Sequence, residues 1–349
     1  MSRLVALGGR YVSITPAPTP PPAPTPAPPP AGPGDFVTRD GPILMYQGSP
    51  IYFVGTNNFG LTGCQSPLGA HTRAEMVSFF SGLRQDGNMI VRIWFFPHSN
   101  ATDMDNCVSA AEEVGIFIIP VLFEGAGHCG INYTANRAWY QNPANTYTWI
   151  DYRVDRHKNS TAIAWWECCN EMGQGSGGDM SQAECKNWLT SVSARIKLKD
   201  PNHLVGSGTI GSWKAYHLGT AGYQDVHSAS TMDLISSHEY EYDYNGNTGV
   251  QGRHAQELAA AAALNKPLYI GEFGTSRSSG TSSLVRSQVT VQKFDAYLGS
   301  SASVCAVIHW STTKAYNATD PQFAIAANET YDSLTSVAIR DYSHARLLL

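Results

Sequence analysis

The sequence predicts an α/β fold, a (β/α)8 barrel, with a proline-rich N-terminal segment expected to be disordered ahead of it. Three observations point there. Eight short apolar runs recur from Asp35 onward. Amphipathic stretches of helical length lie between them. Polar and charged residues gather where the apolar runs end, whereas the runs themselves are largely apolar. Several runs are apolar on consecutive positions, the pattern of strands covered on both faces. A doubly wound open sheet is the alternative. Such a sheet usually carries a Gly-rich phosphate loop after its first strand, and none is visible here.

The expected strands are 51–56 (IYFVGT), 89–95 (MIVRIWF), 116–123 (IFIIPVLF), 162–167 (AIAWWE), 203–207 (HLVGS), 233–238 (DLISSH), 267–272 (PLYIGE) and 304–310 (VCAVIHW). Helices are expected at 72–86, 103–114, 144–158, 181–199, 250–264 and 281–299, with a last one near 329–340. Between the fifth and sixth strands the helical pattern is weakest. Eight such alternations fit a TIM barrel.

Residues 16–33 read PAPTPPPAPTPAPPPAGP and hold eleven of the twenty prolines. Such a segment cannot build a core and is expected to be an extended polyproline-II spacer. The domain division is therefore 1–34 as a disordered tail and spacer, and 35–349 as the folded domain. Met1–Val12 is a poor signal peptide, because Gly8, Gly9 and Arg10 interrupt its apolar stretch.

Composition narrows the function. Hydrophobic residues make up 42% of the 349, enough for a large core. Charged residues are only 15%, and the net charge is -5. Neither nucleic acid nor an anionic membrane is expected as a partner, since both need a basic patch. No apolar run approaches 18 residues, so no membrane span is expected. Eight Trp and seventeen Tyr suit an uncharged polar ligand. Seven cysteines without a CxxC pair, and sequons at Asn100, Asn132, Asn159, Asn317 and Asn328, lean toward an extracellular, secreted protein.

In a barrel the chemistry sits at the C-terminal ends of the strands. There stand Arg92, Trp94 and Phe96 after strand two, and Glu124 and His128 after strand three. Glu167, Asn170 and Glu171 follow strand four. His238, Tyr240 and Glu241 follow strand six, Glu272 ends strand seven, and His309 and Trp310 end strand eight. Glu167 reads as a structural carboxylate. Trp94 and Phe96 read equally as cleft lining or core. The vicinal Cys168-Cys169 reads as packing or a disulfide. A metal site from Glu124 and His128 is not expected, since no third ligand stands at ligand spacing.

Trp166-Glu167-Cys168-Cys169-Asn170-Glu171 and Tyr269-Ile270-Gly271-Glu272-Phe273-Gly274 resemble the acid/base and nucleophile motifs of glycoside hydrolase family 5, in clan A of the retaining glycosidases. Glu171 and Glu272 are 101 positions apart. The landmarks IVRIW at Arg92, H-x-Y at His238 and Tyr240, and Trp310 follow in order. YFVGTNNFG at 52–60, which holds Asn57, RHKNSTAIAWWECCNEM at 156–172 and IKLKDPNHLVGSG at 196–208 are similar to the endo-β-1,4-mannanase branch. The strand-three loop FEGAGHCG and the acidic HEYEYDYNGN at 238–247 depart from that branch.

The resemblance implies a secreted hydrolase cleaving internal β-1,4 bonds of mannan-type polysaccharide, without cofactor or metal and as a monomer. It implies Glu171 as general acid/base and Glu272 as nucleophile, the pair of carboxyls that retention requires. Arg92 and Tyr240 would hold Glu272, Asn170 would bind the sugar 2-hydroxyl, His238 would orient the acid/base, and Trp310 would stack under the sugar. Asn57, Trp94 and Glu124 are further candidates for the site. A β-1,4-glucanase of the same family, and a non-catalytic carbohydrate-binding protein on the same scaffold, are the alternatives.

Overall fold

The structure, a computed structural model, describes residues 36–62, 72–97, 99–127, 129, 137–172, 180–212, 219–240, 249–274, 283–300 and 303–310. It also describes short strands at 3–7, 10–14, 312–313 and 325–326. The proline-rich stretch, His128, residues 241–247 and the helix expected at 329–340 lie outside the described residues.

Eight parallel strands form a nearly closed barrel. They are β1 (Phe53–Asn58), β2 (Ile90–Trp94), β3 (Phe117–Val121), β4 (Trp165–Glu167), β5 (Leu204–Gly206), β6 (Ile235–Glu239), β7 (Leu268–Phe273) and β8 (Val304–His309). Strand order runs β5-β4-β3-β2-β1-β8-β7-β6. The circuit closes between β5 and β6 through an isolated parallel bridge, Gly206 to Leu234. There the Leu234 amide donates to the Val205 carbonyl at 3.0 Å. The Asp233 carboxylate takes the Val205 amide at 3.0 Å, in place of a ladder carbonyl.

Among the described residues seven longer helices wrap the sheet, α1 (Arg73–Gln85), α2 (Ala101–Val114), α3 (Tyr147–His157), α4 (Gln182–Lys199), α5 (Gly219–Val226), α6 (Gly249–Leu264) and α7 (Ser283–Ser300), and a five-residue helix, Arg137–Gln141, precedes α3. Their starts follow local chemistry. Thr72 with Glu75 and Ser181 with Glu184 form capping boxes. The Asn100 side chain accepts from the Thr102 amide and so starts α2 two residues before the expected 103. A turn of 3-10 helix over Pro143–Thr146 leads into α3. The short α5, like Arg137–Gln141, is an element that periodicity does not pick out. Two glycines in GTAGYQDV weaken its propensity. Burial of Tyr223 and Val226, and the bond from the Tyr223 hydroxyl to the Ser236 carbonyl, hold it helical.

Side-chain alternation separates two apolar layers. β2 sends Ile90 into the barrel interior and Val91 and Ile93 outward to the helices. β3 does the same with Phe117 and Ile119 inward and Ile118 outward. The interior is filled by Phe53, Phe117, Trp165 and Tyr269, with Phe53 edge-on to Phe117 at 5.1 Å. The lumen is thus a packed core, and only its C-terminal mouth has room for chemistry.

Its other end is floored by a three-stranded antiparallel sheet, Thr38–Asp40, Ile43–Tyr46 and Ser49–Pro50. Val37 and Leu44 from this segment, both fully buried, pack beneath Phe53 and Trp165. The sequence reading gave no strands here, nor in the antiparallel hairpin Arg3–Leu7 with Arg10–Ile14. The floor strands, two to four residues long, hold too few periods to register as alternation, and the hairpin corrects the expectation that the whole of 1–34 is disordered.

Candidate active site

Arg92 is the centre of the mouth. β2 projects it inward one repeat above Ile90, and its side chain is wholly buried. Its guanidinium satisfies four partners. Nε and Nη2 donate to the two oxygens of Glu167, at 2.9 and 2.5 Å. Nη1 donates to Glu272 at 2.7 Å and to Asn57 at 3.0 Å. Nη2 also reaches the Asn170 side-chain oxygen at 2.9 Å. This fork-on-fork geometry is available to Arg and not to Lys. Burial alone would lower the Arg92 pKa, but the two carboxylates outweigh it and raise it above its ordinary value. The charge is therefore permanent.

Each partner is braced in turn. Glu167 also accepts from the Tyr269 hydroxyl at 2.9 Å, and that hydroxyl accepts from the Gly208 amide at 3.1 Å. The Asn57 amide donates to the Gly271 and His309 carbonyls at 2.9 and 3.1 Å, tying β1 to β7 and β8. The Asn170 amide donates to Glu124 at 3.1 Å, and Glu124 accepts from the Ala126 backbone. Asn57, Glu124 and Glu167 are thus fully buried supports.

Glu171 is set by an unusual backbone. Its φ is 48°, left-handed for a residue that has a Cβ, at a cost of about 1 kcal/mol or more. Flanking loops hold it there. The Glu171 amide donates to the Gly208 carbonyl at 2.9 Å. The Asn170 amide donates to Phe123 and its carbonyl accepts from Gly125, at 2.7 and 2.6 Å. Both glycines are required. A Cβ at Gly125 would stand 2.4 Å from the Met172 Cα, and one at Gly208, itself at φ 75°, would stand 1.9 Å from the Cys169 carbonyl oxygen. Cys168 and Cys169 carry free, buried thiols whose pKa burial pushes up, so the vicinal pair packs and forms no disulfide. Cys129 is disulfide-bonded.

Glu272 owes its direction to a β-bulge. Ser237 pairs with Ile270, yet His238 pairs with Glu272; on the other side Ile270 pairs with Val307 and Phe273 with His309. β7 therefore carries one extra residue at Gly271–Glu272. Strict alternation from Tyr269, which points inward, would turn Glu272 outward. The bulge rephases it toward the mouth and leaves Phe273 in the helix layer.

Around Glu272 three groups converge. The Tyr240 hydroxyl donates to it at 2.8 Å. His238 Nδ1 lies 2.8 Å from Glu171 and 3.5 Å from Glu272. Burial pushes the Glu272 carboxyl above its ordinary pKa and Glu171 adds to this, while His238, Arg92 and the Tyr240 bond pull it back. Burial also lowers His238 to about 4, so the ring is neutral at neutral pH. Oxygens of Glu171 and Glu272 and a ring nitrogen of His238 all lie within 4.8 Å of one another. Such a trio could surround a cation, but Glu272 already has the guanidinium charge.

Trp310 follows β8 and is partly exposed at the mouth. It stacks on Phe59 at 5.6 Å and leans on Trp94 at 5.6 Å. Trp94 itself is buried against Phe96, with Arg92 over its ring at 4.7 Å. Trp94 and Phe96 thus form the packed support beneath Trp310.

Of the ten candidates, Arg92 lies in the middle of β2 and the other nine sit at strand C-termini or just after them. Arg92, Asn170, Glu171, His238, Tyr240 and Glu272 meet in one hydrogen-bonded cluster. Sequence reasoning gave no role to Tyr269, Gly125, Gly208 or Gly271. Their signal would have been the glycines themselves, adjoining the motif residues.

Three buried histidines make stability pH-dependent. Burial lowers His157, His238 and His254 each to about 4 from 6.5. Between those values the unfolded chain binds protons that the folded one does not. Their contribution to stability is complete well above pH 6.5 and falls by up to about 1.4 kcal/mol per pH unit per histidine toward pH 4. Calorimetric melting temperatures are expected to drop across that window. A flat or rising profile would contradict neutral burial of these rings.

The chain is 29% identical over 295 residues to the probable mannan endo-1,4-beta-mannosidase F of Neosartorya fischeri, covering 69% of this chain and 62% of that protein. It is 30% identical over 296 residues to the mannan endo-1,4-beta-mannosidase F of Aspergillus clavatus, covering 70% and 65%. It thus spans less than two thirds of these relatives' own length. The solved endo-1,4-beta-mannanase of Rhizomucor miehei has the same fold, with a TM-score of 0.74 at 20% identity, covering 90% of this chain and all of that one. Residues 56–315 match the cellulase family, glycosyl hydrolase family 5. The chain belongs to that family.

Proposed function

We propose that the protein is a secreted retaining glycoside hydrolase that cleaves internal β-1,4 bonds of mannan-type polysaccharides. The observation that carries this reading is the closeness of Glu171 and Glu272, whose oxygens approach within 4.8 Å. Retaining enzymes place their carboxyls about 5–5.5 Å apart, and inverting ones about 6.5–9.5 Å to admit a water.

The two carboxyls have unlike surroundings, which suits unlike roles. Glu272 takes hydrogen bonds from Arg92 and Tyr240, which favour its ionised form and aim it as nucleophile at the anomeric carbon. Glu171, bonded to neutral His238, protonates the leaving oxygen. It then takes a proton from the water that hydrolyses the glycosyl-enzyme. Asn170, fixed by Arg92 and Glu124, meets the 2-hydroxyl. Trp310 offers its face to the sugar C–H groups. No step calls for a cofactor. The names of the relatives favour mannan over glucan.

Glu171→Ala and Glu272→Ala are each expected to lower turnover of galactomannan and glucomannan by about three orders of magnitude or more, with the fold intact by circular dichroism. Product released by the wild type is expected to keep the β-anomer in early NMR spectra. An active Glu272→Ala enzyme would sink the assignment. Turnover confined to carboxymethylcellulose would move the substrate to β-glucan, and binding without turnover would favour a carbohydrate-binding protein.

Secretion is supported by the disulfide at Cys129 and by the two described sequons, Asn100 and Asn159, which are both exposed. No helix among the described residues is long and apolar enough to cross a membrane. Expressed through a secretory pathway, the protein is expected to lose mass on N-glycan removal, and less so as Asn159→Gln. Residues 1–34 are proposed to be a tail outside the catalytic domain 35–349. Their deletion is expected to shift the melting temperature by no more than about 2 °C. A larger drop would show that they pack on the barrel.

A further inference from the structure

Behind the mouth, between β6, β7 and α7, lies a buried ion pair that the proposed chemistry does not use. Lys293 on α7 is 1% exposed and Glu239, the last residue of β6, is 5% exposed. The ammonium lies 3.2 Å from the Glu239 carboxylate and donates to the Gly274 carbonyl at 2.7 Å. The same carboxylate oxygen accepts from the Tyr297 hydroxyl at 2.6 Å. Phe294, next to Lys293 on α7, packs on Phe273 at 5.1 Å in the apolar layer, where an aliphatic side chain would serve packing equally well. Replacing a buried ion pair by apolar residues is often neutral or stabilising, so stability gives weak grounds for its presence.

Its position gives better grounds. Glu239 sits between His238, which bonds Glu171, and Tyr240, which bonds Glu272. Gly274 comes two residues after Glu272. The parallel register between β6 and β7 ends at Glu239 and Phe273. Among the described residues that pair is the last rung of the ladder between the two strands. Lys293 bridges this point, with one bond to each strand end.

On the catalytic reading above, we propose that Lys293 is a positioning residue, which with Glu239 and Tyr297 locks the strand tips that carry His238, Tyr240 and Glu272. It touches no substrate. It acts by holding the Tyr240 hydroxyl on the Glu272 carboxylate.

The test uses the full chain and the double variant Lys293→Met/Glu239→Gln, which removes both charges and leaves no unpaired ion. Its melting temperature is expected to stay within about 3 °C of wild type. Its kcat on galactomannan is expected to fall by about tenfold or more, with KM changed less than about threefold. The acid limb of its pH profile is expected to move up by about half a unit, because a looser Tyr240 bond stabilises the carboxylate less. Lys293→Arg is expected to recover part of the loss. A folded double variant with wild-type kcat and an unmoved acid limb would overturn the inference. If that variant does not fold, Tyr297→Phe decides: a smaller change in the same direction supports the inference, and an unchanged profile overturns it. A wild type inactive on every β-glycan, or an active Glu272→Ala, would overturn the catalytic reading and this inference with it. An active wild type and dead Glu272→Ala, beside indifferent Lys293 variants, would overturn this inference alone.

Discussion

A permanent cation, buried at the barrel mouth, is the constraint on which the site depends. Arg92 has no exposed surface, so its charge must be balanced within the protein. Glu167 and Glu272 supply two negative charges against its one, and Asn57 and Asn170 take further N–H groups. Removing one partner of such a group typically costs about 3–5 kcal/mol. The cluster therefore forms as a unit. It joins β1, β2, β4 and β7 across the lumen, and it gives Glu272 a fixed place and a fixed field.

Two backbone irregularities then turn that framework into a pair of converging carboxyls. The bulge in β7 points Glu272 inward, and the left-handed backbone of Glu171 aims the other side chain at it. Neither is a low-energy local choice. Each persists because neighbours over-determine it: Gly208 and Gly125 bracket Glu171, and the Asn57 amide holds the Gly271 carbonyl. The site carries its own cost as well. Burial disfavours the ionised form of Glu272, so its carboxylate is held against its desolvation by Arg92, His238 and Tyr240.

The rest of the barrel makes this affordable. A floor of three short strands seals one end, and the aromatic stack of Phe53, Phe117, Trp165 and Tyr269 fills the lumen. Tyr269 links that core to the site, since its ring packs on Trp165 and its hydroxyl bonds Glu167. Packing and polar cluster thus share a residue, and a shift in one is transmitted to the other.

The sequence by itself determined the fold class, the order of the eight strands and six of the eight described helices, because long apolar periods are local signals. It also marked Arg92, Asn170, Glu171, His238, Tyr240, Glu272 and Trp310, because strand ends and short motifs mark the mouth of a barrel. The tertiary structure alone decided how those side chains meet. Glu272 is out of phase with Tyr269 unless β7 bulges, and a bulge is a property of the pairing between strands. The φ of Glu171 depends on carbonyls and amides from two other loops. Glu167 reads as one more buried carboxylate until Arg92 is seen to take both its oxygens. The α5 helix, glycine-bearing and short, exists through Tyr223 and Val226 packing on the sheet. Each of these depends on contacts between residues far apart in the chain, which no local pattern encodes.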